Sequence, residues 1–171
     1  MSDLKVVKPT DGEMYLRWCK GNEHAARFIG SLGLISQIAD DFVDEDNPKV
    51  TGRLLDRSKA MGVLLASIFA DLLPNPFFQQ NEGILLPLMV NSVAYWEASN
   101  DWTISHKRET RMFGFVHREA LERVVAMVAM IVGGWDHQRA VVREMHQFYH
   151  GIGAVETFDE WDATTAEVKR A

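Results

Sequence analysis

Residues 22–46 read NEHAARFIGSLGLISQIADDFVDED, and the reading of this run as one long helix decides the fold. At helical spacing, Ala25, Phe28, Leu32, Ile35, Ala39 and Phe42 line up as one apolar stripe. Gly30, Gly33, Gln37, Asp40 and Asp44 form a second stripe roughly opposite it. Asn22 can cap the start, and Pro48 ends the pattern. From Asp40 to Asp46, five of seven residues are carboxylates, with no Lys or Arg among them. Helix C-termini disfavour negative charge because carbonyl groups already point outward there. The cluster therefore calls for a compensating cation, either Lys49, Arg53 and Arg57 just downstream or a metal ion. The two glycines cost about 1 kcal/mol each against Ala in a helix. They make sense where something must approach the backbone closely.

Working outward, 171 residues with 47% apolar and 25% charged composition are ordinary for one globular domain with a proper core. A net charge of −6 argues against nucleic-acid binding, which needs clustered Lys and Arg to replace counterions. The single Cys19 cannot form an internal disulfide, and no cleavable signal pattern opens the chain. The longest apolar run, Val124 to Val132, is far short of the roughly 20 residues that span a bilayer. These features lead to the expectation of a soluble, cytoplasmic protein with no membrane span.

Thr10-Asp11-Gly12-Glu13 fits a capping box and predicts a short helix carrying Met14 and Trp18, ending at Gly21. After the acidic run, Thr51 can cap a third helix to Leu73 with the stripe Leu54, Met61, Leu64, Leu65, Ile68 and Leu72; Pro74 and Pro76 end it. A fourth is expected from Asn81 or Leu86 to Asn100, with Pro87 near its first turn or at a kink. A fifth is expected from Ser105 to Val132, broken by Gly133-Gly134. A sixth, capped by Asp136, carries Val141, Val142, Met145, Phe148 and Tyr149. Nothing alternates with period two over more than four residues, so no strand is expected. The expectation is an all-α antiparallel bundle of five to six helices over residues 1–152, followed by an acidic tail, 153–171, with Phe158 and Trp161 as docking anchors. Phe28, Leu32, Ile35, Phe42, Leu65, Ile68, Tyr95, Trp96, Val125 and Ile131 are the expected core.

A second carboxylate group follows in Glu97-Ala98-Ser99-Asn100-Asp101, with Ser105 and Glu109 beyond. Glu97 and Asp101 are one turn apart, and Asp101, Ser105 and Glu109 share one face if the helix continues. In an up-down bundle this end lies with the Asp40 cluster. Hard cations such as Mg²⁺ take carboxylates together with phosphate oxygens, and Arg108 and Arg111, one turn apart, are suited to a diphosphate. The bland alternative is a capping Ser105 among solvated surface charges.

Asp40-Asp41-Phe42-Val43-Asp44 and Asp101-xxx-Ser105-xxx-Glu109 together resemble the DDxxD and (N/D)xxx(S/T)xxxE motifs of class I isoprenoid (terpenoid) synthases. The resemblance covers about residues 30–110. It implies an isoprenoid-synthase-like helical fold and Mg²⁺ (or Mn²⁺) held by Asp40, Asp41, Asp44, Asp101, Ser105 and Glu109. It further implies a diphosphate-containing small molecule near Arg108 and Arg111, with Gln37 and Glu97 as secondary candidates. A homodimer is the assembly to test.

Two other readings stand beside it. All-α NTP pyrophosphohydrolases use an EExxE-type helix followed by ExxD; the spacing of Asp40, Asp41 and Asp44 fits the first half, but helix three has no ExxD. An interaction protein is the non-enzymatic alternative, with exposed Phe77, Phe78 or Trp161 marking the contact. The six histidines are scattered without HExxH or Cys partners, so zinc is not expected; His146 and His150, one turn apart, lack a third ligand nearby in sequence.

Overall fold

Helix α1 (Asp11–Trp18) buries Met14 and Trp18, one turn apart as expected. Lys20 and Gly21 then take positive φ, and the Gly21 N–H closes onto the Leu16 carbonyl at 2.8 Å. This left-handed end suits glycine. The side chain of Asn22 accepts from the Ala25 N–H at 3.0 Å and caps α2 (Glu23–Val43). The computed structural model describes residues 11–43, 49–50, 53–150 and 157–169. They fall into two compact units, Met1–Glu82 and Gly83–Ala171.

In the first unit, α2 buries Ala25, Ala26, Phe28, Ile29, Leu32 and Ile38. Ile35, Ala39 and Phe42, expected on the buried stripe, are only half-buried. The reason is that α1, Lys49–Val50, Arg57–Ala66 and Ser67–Leu72 all pack on this helix, so its burial is not one stripe. A two-residue antiparallel ladder, β1 (Lys49–Val50) with β2 (Arg53–Leu54), corrects the expectation of no strand. It is too short for alternation to reveal. Helix α3 (Arg57–Ala66) is capped by Asp56, whose carboxylate accepts from the Lys59 N–H at 2.9 Å. The expected cap, Thr51, lies outside the described residues. A π-helical stretch, Ser67–Leu72, continues α3, with the Leu73 N–H reaching back five residues to the Ile68 carbonyl. Its wider turn rotates the buried face, so Ala60, Ser67 and Leu72 are inside, Ile68 is half-buried and Leu65 is exposed.

Pro76 does not end a helix; it begins α4 (Pro76–Thr103). Asn75 caps this start by accepting from the N–H groups of Phe77 and Phe78, while its amide donates to the His24 carbonyl at 3.0 Å. Proline at the first helical position is favoured because its missing N–H would have no partner there. Phe77 and Phe78 pack on Phe28 at 6.2 and 5.7 Å between ring centroids. Both are buried, contrary to their expected role as exposed anchors.

In the second unit α4 carries Pro87 in its interior and buries Leu85, Ser92 and Ser99. Helix α5 (Arg108–His117) crosses it at Gly114, where a methyl would lie 3.1 Å from the Ser99 carbonyl oxygen and 3.2 Å from the Thr103 nitrogen. The expected continuous helix from Ser105 to Val132 is interrupted. After α5 a turn of i→i−3 bonds, Ala120 to His117 and Glu122 to Glu119, leads into α6 (Glu122–His150). Helix α6 breaks at Gly134, with φ 77° and ψ −176°, where the glycine pair predicts a break. Its core face is Val124, Val128, Ala129, Val141 and Met145; Val125 and Ile131, like Tyr95 and Trp96, are half-buried. Within the tail, Phe158–Lys169 form α7. The described chain is all-α apart from the two-residue ladder.

Candidate functional site

The acidic end of α2 presents Asp40 and Gln37 to solvent, with Asp41 half-buried beside them and no basic residue in the last turn. Asp44 lies outside the described residues. The glycines that lead up to this end have an internal explanation. A methyl on Gly30 would lie 3.9 Å from the Tyr15 ring, and one on Gly33 would lie 3.6 Å from its hydroxyl. What approaches the α2 backbone on this side is Tyr15 of α1.

The second carboxylate group is arranged differently from the expectation. Helix α4 stops at Thr103 and α5 starts at Arg108, so Asp101, Ser105 and Glu109 do not share the face of one helix. Two side chains at the end of α4 bond back to carbonyls, Ser99 to Trp96 and Thr103 to Asn100, each at 2.6 Å. Such bonds compete with the helical ladder. Ser105 sits in the connection, its hydroxyl accepting from the Lys107 N–H at 3.2 Å and its carbonyl accepting from Arg111 at 3.0 Å. Glu97 and Asp101 are exposed one turn apart on α4, and Glu109 is exposed in the first turn of α5. Among the described residues, no three His, Cys, Asp or Glu side chains form a metal-holding group.

Arg108 and Arg111 are both engaged by α7. Arg111 is only 8% exposed and grips Asp162 with two nitrogens, Nη2 to Oδ2 at 2.9 Å and Nε to Oδ1. This bidentate grip holds the guanidinium even more firmly protonated than usual. Arg108 pairs with Asp159 at 2.9 Å and lies over the Phe158 ring. Arg118 lies over Phe115 and Trp161, and Phe115 packs edge-on against Phe158. Trp161 is buried, so it anchors α7 within the chain. The start of α7 is fixed by a capping box in which Glu160 accepts from the Thr157 N–H at 2.7 Å and the Glu160 N–H returns to the Thr157 hydroxyl. These bonds hold the Glu160 carboxyl below its usual range. Sequence reasoning missed Asp159 and Asp162 as the partners of the arginines. The signal was present in their three-residue spacing, which matches that of Arg108 and Arg111.

Two further groups were not singled out in sequence. The Glu122 carboxyl is pushed up to about 7, first by burial and then by Glu119, and its Oε1 is buried without a hydrogen-bond partner. His117 stacks on Tyr95 at 4.8 Å and meets Arg123 through Nδ1 at 2.8 Å. Burial, reinforced by the Arg123 charge, lowers its pKa and favours the neutral imidazole. In the first unit, His24, Arg27, Gly30, Ser31, Asp71 and Asn75 help to line an open cleft of about 460 Å³.

Comparison with protein-family models, curated proteins and solved structures finds no match. Among the described residues, no single helix is long and apolar enough to cross a membrane; one bent pair, Arg57–Leu72 with Pro76–Thr103, passes that test only when its members are taken together.

Proposed function

We propose that this chain is a small isoprenoid-synthase-like helical protein that binds a diphosphate-bearing small molecule through Mg²⁺ or Mn²⁺. The observation that carries the reading is the last turn of α2, where Asp40 faces solvent beside Asp41 with no basic residue in that turn. One or two carboxylates completed by phosphate oxygens are what Mg²⁺ usually takes from a protein. Asp40 and Asp41 fit that donor set, and Asp44 would extend it. Asp101, Ser105 and Glu109 fit less well, since they do not share one helical face. Bound metal would neutralise charge on the phosphate groups, the chemistry that departure of a diphosphate requires. Thermal melts test the reading. A ligand at a hundred-fold excess over its Kd stabilises by about 2.7 kcal/mol, so Mg²⁺ with pyrophosphate should raise the melting temperature. No shift with Mg²⁺, Mn²⁺, pyrophosphate or their mixtures would end it.

A second reading, an interaction protein, is favoured by one specific observation. Phe69, Val90, Phe113, Val116 and Trp135 are each at least 60% exposed, on several helices. Apolar surface of this kind marks contact sites when it is contiguous. Concentration-dependent mass in light scattering, lost on changing Val90 or Val116 to Glu, would support this reading. A mass that stays monomeric over a hundred-fold range of concentration would count against self-association.

A further inference from the structure

The geometry points to the Arg108–Arg111 face of α5 as a binding site for a ligand with two adjacent anionic groups, occupied in cis by the Asp159 and Asp162 carboxylates of α7. Two guanidinium groups one turn apart meet two carboxylates one turn apart, with Arg111 bidentate on Asp162 and Arg108 on Asp159. A guanidinium fork donates to phosphate oxygens in the geometry in which it donates to carboxylate oxygens. The acidic pair of α7 therefore stands where the phosphates of a diphosphate would stand. Arg111 also donates to the Ser105 carbonyl at 3.0 Å, a bond made outside α7. Glu109 is the acidic neighbour that acts on Arg111 from its own helix. Aromatic contacts of α7 adjoin these pairs, Phe158 and Trp161 against Phe115, with Arg108 and Arg118 over the rings. Helix α7 is thus a latch, and the arginine site opens when it lifts. The inference takes its ligand class from the reading above, but its residues are separate from the α2 carboxylates.

The test is titration of pyrophosphate into the full chain with chelator present, so that no metal takes part. Two variants lift the latch by different routes: Asp159→Asn with Asp162→Asn removes the competing charges, and Trp161→Ala removes the aromatic anchor. Circular dichroism confirms that each retains its helices. Both should bind pyrophosphate more tightly than wild type, within the roughly 5–150-fold range typical of coupled sites. Adding Arg108→Ala and Arg111→Ala should erase the gain, and a synthetic peptide of residues 157–169 should compete with pyrophosphate. The gain should persist when Asp40 and Asp41 are changed to Asn, which separates this site from the proposed metal site. No gain in either variant, a gain that survives loss of the arginines, a gain lost with Asp40 and Asp41, or absence of competition by the peptide would overturn the inference.

Discussion

Changing Gly114 to Ala should destabilise the second unit, against the trend that helix propensity sets. In an exposed helix the substitution would gain about 1 kcal/mol. Here the new methyl would lie 3.1 Å from the Ser99 carbonyl oxygen, 3.2 Å from the Thr103 nitrogen and 3.3 Å from the Thr103 methyl. These contacts are shorter than the 3.5–4.0 Å at which nonbonded carbon atoms gain dispersion energy. Two of the three atoms are backbone, so relief requires α4 and α5 to separate by a few tenths of an ångström. Overpacking of this kind costs about 1–3 kcal/mol. Set against the propensity gain, the net loss is about 1–2 kcal/mol at the upper part of that range. Urea unfolding followed by far-ultraviolet circular dichroism measures it as a lower midpoint at unchanged slope. A variant as stable as wild type, or more stable, would show that α4 and α5 do not meet backbone to backbone at this crossing.

The same substitution at Gly30 or Gly33 should go the other way, because the nearest atoms of Tyr15 stand at 3.9 and 3.6 Å. Each should stabilise by about 1 kcal/mol in the same unfolding assay. Glu122→Gln tests the buried carboxyl. Its folded pKa of about 7 lies above the ordinary 4.5, so the native carboxyl holds its proton where the unfolded one has lost it. That cost is absent below pH 4.5, grows as pH rises, and is complete above about pH 7. After discounting for partial solvent screening, the Gln variant should be more stable than wild type by roughly 1–2 kcal/mol at pH 8 and about equal to it near pH 4.5. Cys19 is fully buried, and burial pushes its thiol up to about 12, so native protein should resist thiol reagents at pH 8 that label the urea-unfolded chain quickly.

The parts of the fold that were legible in sequence are those set by local chemistry. Asn22 caps α2, Gly21 ends the preceding turn in the left-handed region, and Gly134 breaks α6 where the glycine pair predicts a break. What was not legible depends on partners distant in sequence or on unusual turns. The π-helical stretch at Ser67–Leu72 shifts the buried face by one residue, which periodicity at 3.6 residues per turn cannot anticipate. Of the ten residues expected in the core, Phe28 and Leu32 are fully buried, while Leu65 is exposed. The start of α4 was legible and misread, since Asn75-Pro76 is a cap followed by a first-position proline. For the site, the aspartates at the end of α2 and a last turn with no basic residue in it follow from the sequence. The pairing of Arg108 and Arg111 with Asp159 and Asp162 spans 51 residues, and only the folded chain brings them together.

The most direct test of the central claim is calorimetric titration of pyrophosphate, with and without Mg²⁺, into wild type and into the Asp40→Asn, Asp41→Asn double variant. The account predicts Mg²⁺-dependent binding to wild type that the variant loses. Absence of Mg²⁺-dependent binding to wild type, or equal binding by the variant, would contradict it.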